Sequence, residues 1–161
     1  MHVPEPQTEH KWLQRLVGDW TCEHECSMGP DEPPMKTSGT ESVRSIGGLW
    51  TVGEGQGEMP TGGSATMIMT LGYDPQTGRF VGTFFGSMMT HLWVYNGTLD
   101  AAGKVLTLDT VGPDFSGGDG MIPYQDLIEF VDDNHRVLSS RFRGPDGKWI
   151  PFTTSHYHRK K

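Results

Sequence analysis

The sequence predicts an all-β fold: an antiparallel, up-and-down β-barrel of about ten strands with a short helix capping one end. Three observations carry this. Apolar and polar residues alternate along most of the chain, the period of two of a half-buried strand. The chain is punctuated by turn residues, among its 22 glycines and 11 prolines, at intervals of ~10 to 14 residues. The links are almost all too short for crossovers, so sequential strands must pair antiparallel. Rolling such a meander into a cylinder removes its edges. A two-sheet sandwich is the alternative, but it usually needs longer connections. The 161 residues fit one domain with a substantial core.

The elements follow in order. Thr8 can cap a helix over 9–17, with Trp12, Leu13 and Leu16 on one face. That face suits an open barrel end. Gly18 offers the helix a stop, because glycine reaches left-handed backbone angles without a steric penalty. Trp20, Cys22, Cys26 and Met28 then alternate with polar residues, and His24 shares their series. A Pro-rich loop at 29–34 cannot be a central strand. Strands are expected over 35–46, 49–58, 65–73, 79–87, 91–100, 104–111, 122–131, 135–143 and 148–157. Glycines 53, 55 and 57 interrupt the second of these and suggest bends or close backbone approach. Asp74-Pro75-Gln76-Thr77-Gly78 is a tight turn in which Pro fixes φ and Gly takes the left-handed position. The longest loop, 112–120, contains four glycines and could act as a lid.

Composition narrows the function classes. The formal charge is −7, and the basic residues cluster only at Arg159-Lys160-Lys161, so a nucleic-acid footprint is missing. No apolar run approaches the ~20 residues of a membrane helix. The first residues, Met1-His2-Val3-Pro4-Glu5-Pro6, lack a signal-peptide layout, which leads to the expectation of a cytoplasmic protein. Cys22 and Cys26 would lie ~13 Å apart on one strand, too far for a disulfide, and read as free thiols.

Gly18-Asp19-Trp20 at the head of the first strand is similar to the opening of the calycin group, the lipocalin-type barrels. There the tryptophan plugs the barrel base under a basic residue of the last strand, for which Arg159 is the candidate. Further stretches extend the likeness: Met28-Gly29-Pro30-Asp31, Gly47-Gly48-Leu49-Trp50, Met69-Thr70-Leu71-Gly72-Tyr73-Asp74, Gly86-Ser87-Met88-Met89-Thr90-His91-Leu92-Trp93, Gly103-Lys104-Val105-Leu106-Thr107-Leu108, Asp133-Asn134-His135-Arg136-Val137-Leu138 and His156-Tyr157-His158-Arg159-Lys160. Together they resemble the domain-of-unknown-function 1579 family of mostly bacterial proteins. The resemblance implies a calycin-like barrel similar to nitrobindins and fatty-acid-binding proteins, and it implies no particular activity. The family often has Arg where this chain has Gln125 and His158, so a fixed positive charge is missing at each.

A barrel of this kind would hold a small apolar molecule inside. The expected ligand-binding set is Met67, Met69, His91, Trp93, Tyr95, Tyr124, Asp126, Arg141 and His156. His91 alternates with Trp93 and Tyr95, and Asp126 with Tyr124 and Ile128; Arg141 is in series with Val137, and His156 with Phe152. If all face inward, Asp126 and Arg141 could pair, since a buried charge needs a partner. Ten strands sit near the size at which a cavity opens, so filled and hollow interiors both remain open. An enzyme with His91 or His156 as acid–base is a second reading, and a structural or self-associating module with a filled core is a third. His156 and His158 are spaced like two ligands of one metal, and nitrobindins use a C-terminal histidine for haem iron. No third ligand is near in sequence, so no metal, cofactor or catalytic residue is assigned. The nucleophile elbow and dinucleotide fingerprint are both missing.

Overall fold

A computed structural model describes residues 1–161. One helix, α1 (Thr8–Gln14), precedes ten strands. These are β1 (Gly18–Cys26), β2 (Met35–Ile46), β3 (Trp50–Glu58), β4 (Ser64–Asp74), β5 (Arg79–Gly86), β6 (Trp93–Leu99), β7 (Val105–Pro113), β8 (Met121–Asp132), β9 (His135–Arg143) and β10 (Trp149–Arg159). Each strand pairs antiparallel with its successor, and β1 pairs with β10 as well, so the sheet closes on itself. No helix is long and apolar enough to cross a membrane.

The helix is shorter than the sequence suggests, and its cap is Gln7 rather than Thr8. The Gln7 backbone N–H donates to His10 Nδ1 at 2.9 Å. Nδ1 is therefore an acceptor, so Nε2 carries the proton and donates to the Tyr73 carbonyl at 3.0 Å. That bond ties α1 to the end of β4. Trp12, Leu13 and Leu16 are buried and cover the barrel base, and Trp12 Nε1 donates to the Gly103 carbonyl at 2.7 Å. Leu13 retains no accessible surface, a burial that contributes roughly 2 kcal/mol.

The seam joins the first strand to the last. Trp20 pairs in register with Arg159 and has no exposed surface. Its Nε1 donates to the Leu16 carbonyl at 2.9 Å. The Arg159 guanidinium carbon lies 4.2 Å from the Trp20 ring centre. The same guanidinium donates to the carbonyls of Val17 (2.7 Å) and Arg15 (3.0 Å), satisfying the backbone where α1 ends. Gly18 has φ +138°, and a Cβ there would collide with Arg159 Nη1. The positive φ is what calls for glycine here, and its missing Cβ leaves room for this guanidinium. Gly18 does not stop the helix, which ends at Gln14.

The interior is divided. From α1 upward, Leu71, Phe80, Leu106, Leu108, Ile128 and Phe130 fill the base with Trp20. Above them Arg136 pairs with Glu41 and lies 4.6 Å from the Trp20 ring and 4.0 Å from that of Tyr157. Arg136 comes from β9 and Glu41 from β2, with β1 and β10 between them. The pair therefore spans the interior at the level where filled core gives way to open space.

Candidate functional site

The open space is a cavity of about 350 Å³ in the half of the barrel away from α1. Its walls include Met67, Met69, Phe84, Trp93, Tyr124, Leu138 and Phe152, and its mouth residues include Glu25, Glu58, Met59, Pro60, Met88 and Met89. A smaller void of about 30 Å³ continues beneath it toward Cys22 and Glu41. β3 presents Gly53, Gly55 and Gly57 to the interior, on the residues that pair with Met69, Met67 and Ala65; Gly57 lines the cavity and Gly55 the smaller void, while a Cβ on Gly53 would press on the Glu41 carboxylate. One stave of the barrel is thus bare backbone. Met67 leans across it, its Cε 3.2 Å from where a Cβ of Gly57 would stand. Gly112 does a related job on β7: a Cβ there would run into the Trp93 ring.

Polar groups are few and placed at depth. Asp126 accepts hydrogen bonds from Tyr95 Oη and, at 2.6 Å, from Ser140 Oγ. Burial pushes its carboxyl above the ordinary carboxylate range, and these two hydroxyls pull partly the other way. Tyr95 is raised well above the usual phenol, by burial and then by the neighbouring Asp126, so it stays a donor. Thr110 lines the same cavity, is 7 % exposed, and its Oγ1 has no hydrogen-bond partner. On the opposite wall His24 Nδ1 lies 2.7 Å from Ser155 Oγ, and His24 Nε2 lies 3.3 Å from Cys22 Sγ. Burial lowers the His24 pKa, with Glu41 opposing, so the ring is neutral at pH 7. Burial, and then Glu41, push the Cys22 thiol up to about 11, so it is not a ready nucleophile. No group of three or more His, Cys, Asp or Glu residues is arranged to hold a metal ion.

The structure sorts the expected site residues into three groups. Met67, Met69, Trp93, Tyr124 and Asp126 line the cavity. Tyr95 points inward but lies in the core, reaching the cavity through its bond to Asp126. His91, Arg141 and His156 are outside. His91 precedes β6, so the strand's alternation does not extend to it, and its Nε2 donates to the Val111 carbonyl at 2.9 Å. Arg141 Nε donates to Gln125 at 2.8 Å, and its guanidinium carbon lies 5.3 Å from the Trp149 ring centre. The expected Asp126–Arg141 pair does not form, because the two residues occupy opposite faces of adjacent strands. His156 is exposed because a bulge between Pro151 and Thr153 shifts β10 by one residue. A one-residue shift flips every later side chain, so Phe152 points in and His156 out. There His135 Nε2 lies 3.0 Å from His156 Nδ1, and its ring stacks on His158. Sequence reasoning left His24, Thr110, Ser140 and Ser155 out of the set. The period of two placed His24 among inward residues; the other three share the inner faces of their strands with Leu108, Leu138 and Tyr157.

The sequence profile of the family described as "Protein of unknown function (DUF1579)" matches residues 5–159. The chain belongs to this family. No curated protein matches it in sequence. Among solved structures, it is similar to Rv2717c from M. tuberculosis, with a TM-score of 0.65 and 13% identity over 98% of this chain and 100% of that one. It is also similar to the S-type phycobiliprotein lyase CPES from Guillardia theta, with a TM-score of 0.60 and 14% identity over 96% and 94% of the two chains. The barrel EF1p2_mFAP2b, solved bound to DFHBI, has a TM-score of 0.51 and 12% identity over 94% and 98%. At these identities the likeness is one of fold.

Proposed function

We propose that this member of the family binds a small, mainly apolar molecule inside the barrel. The cavity carries the reading: it is enclosed by methionine and aromatic side chains, has a few polar groups at depth, and opens at one end. Methionines adapt to irregular apolar shapes, which suits a wall that must close around a ligand. The resemblance to a barrel solved with DFHBI supports such a use of the fold. The loop after β7 places Phe115 beside the cavity-lining Trp93, ring centroids 6.3 Å apart. Free Cys22 and Cys26 suit a reducing compartment such as the cytoplasm.

The test is a fluorescence titration with N-phenyl-1-naphthylamine, an apolar dye that brightens out of water. The wild type should take it up. Ala65→Phe, which sends a ring into the cavity from β4, should abolish uptake while leaving the circular dichroism spectrum unchanged. Equal uptake by both proteins would refute the reading. A second reading, hydrolysis of an apolar ester, is favoured by one observation, the His24–Ser155 contact inside the cavity. Activity on p-nitrophenyl butyrate that disappears in Ser155→Ala would support it; loss of the same trace activity on unfolding alone would not.

A further inference from the structure

The charges of the cavity are all of one sign. Glu25 and Glu58 stand at its mouth and Asp126 at its depth, and neither lysine nor arginine lines it. The nearest interior guanidinium, Arg136, is paired with Glu41 below. Arg141 is on the outer face. A fatty-acid carboxylate would therefore find no cation inside, and would meet an acidic side chain at the mouth and at the deep end. Its desolvation would go uncompensated.

The deep end is instead built to accept. Each Asp126 oxygen takes one hydrogen bond, Oδ2 from Tyr95 and Oδ1 from Ser140. A carboxylate oxygen has room for a second, and Asp126 keeps part of its surface accessible to the cavity. Independently, Thr110 Oγ1 is buried on the same inner wall without a partner. Thr110 pairs in register with Tyr124, two residues from Asp126. A carboxylate and an unpartnered hydroxyl, which can accept as well as donate, thus line one apolar chamber from neighbouring strands. The rings of Trp93 and Tyr124, centroids 4.9 Å apart, stand beside it, and aromatic faces attract a cation.

Granting the binding reading above, we propose that the ligand is an apolar amine whose nitrogen docks on Asp126, with Thr110 Oγ1 as the second acceptor. Asp126 takes the charged nitrogen as its counter-ion. The proton stays on the nitrogen, and no covalent bond changes. His24, neutral on the far wall, adds no competing cation. The titratable groups facing the chamber are then Asp126 from β8, Tyr95 from β6 through its hydroxyl, Tyr124 from β8, Tyr157 from β10, His24 and Cys26 from β1, and the two mouth glutamates.

Head-group competition tests this. Bound N-phenyl-1-naphthylamine is displaced at pH 7 with octylamine, 1-octanol or octanoate, which share one chain and differ only at the head. Octylamine should displace the dye at about ten- to hundredfold lower concentration than 1-octanol, the range for a hydrogen bond to a charged group. Octanoate should be the weakest. In Asp126→Asn the octylamine advantage should shrink to within about threefold, with 1-octanol unchanged; Thr110→Val should show a smaller loss of the same kind. The wild-type ranking stands as evidence even if a variant does not fold. Octanoate binding as tightly as octylamine, or an amine preference that survives in Asp126→Asn, overturns the proposal while leaving the binding reading intact. Failure to take up the dye at all overturns both.

Discussion

The pair formed by Glu41 and Arg136 is the divider between filled base and open chamber, and removing its negative half should be costly. The side chain of Arg136 is 3% exposed and that of Glu41 15%. Arg136 Nε has no hydrogen-bond partner, so the guanidinium relies on Glu41 and on the rings of Trp20 and Tyr157. Glu41→Gln keeps the shape and one acceptor but leaves a buried positive charge unbalanced. Breaking one side of such a pair costs about 3 to 5 kcal/mol, and the retained acceptor places this case near 3. Against a total stability on the order of 10 kcal/mol, that is a loss of about 6 to 12 °C in Tm. The assay is urea unfolding followed by tryptophan fluorescence, with the slope checked for constancy. Arg136→Met added to Glu41→Gln should recover most of the loss, since the orphaned charge is then gone and methionine packs against the same rings. A Glu41→Gln variant within about 1 kcal/mol of wild type would refute the argument that the pair is coupled and desolvated. So would a double variant no more stable than the single.

Other outcomes follow from the interior. With its thiol pushed up to about 11, Cys22 should be only about 0.1 % thiolate at pH 8. Ellman's reagent should label Cys26 in the folded protein and reach Cys22 only on unfolding; two equally fast thiols would contradict this. Asp126 is raised in the folded state, so the native protein holds that proton more tightly than the unfolded chain. Its contribution to stability is present below the unfolded value of about 3.9 and is lost as pH rises through the folded value, a slope Asp126→Asn should remove. His24 is lowered, so its contribution is present above about 6.5 and is lost as pH falls through the folded value, a slope His24→Gln should remove. Stability curves that keep both slopes in these variants would remove the assignments. His91→Ala, Arg141→Met and His156→Ala each lie outside the chamber and should bind the dye like wild type; a tenfold loss in any of them would move the site.

Much of the barrel could be read from the residues. Alternation placed Met67, Met69, Trp93, Tyr95, Tyr124 and Asp126 on the inner face, and the resemblance of Gly18-Asp19-Trp20 to a calycin opening implied the Trp20–Arg159 seam that the structure shows. What alternation could not supply was its own interruption. The bulge between Pro151 and Thr153 reverses the remainder of β10 and carries His156 outward, and His91 lies two residues ahead of the start of β6. The register of Arg141 against Gln125 likewise depends on pairing with β8, not on β9 alone. The hollow itself had a signal in the period-two glycines of β3. They read as bends because a missing side chain looks the same in sequence whether backbone or empty space faces it. Only the barrel's closure shows that Met67 reaches across the gap.

On the proposed reading the chamber, and not the outer surface, receives the ligand. The nine methionines make it directly testable by methyl-labelled NMR. On saturation with N-phenyl-1-naphthylamine, the methyl signals of Met67 and Met69, deep in the cavity wall, should shift. Those of Met1, Met28 and Met121, all exposed, should stay in place. Movement of the exposed three with Met67 and Met69 unchanged would put the dye on the outside of the barrel and overturn binding within it.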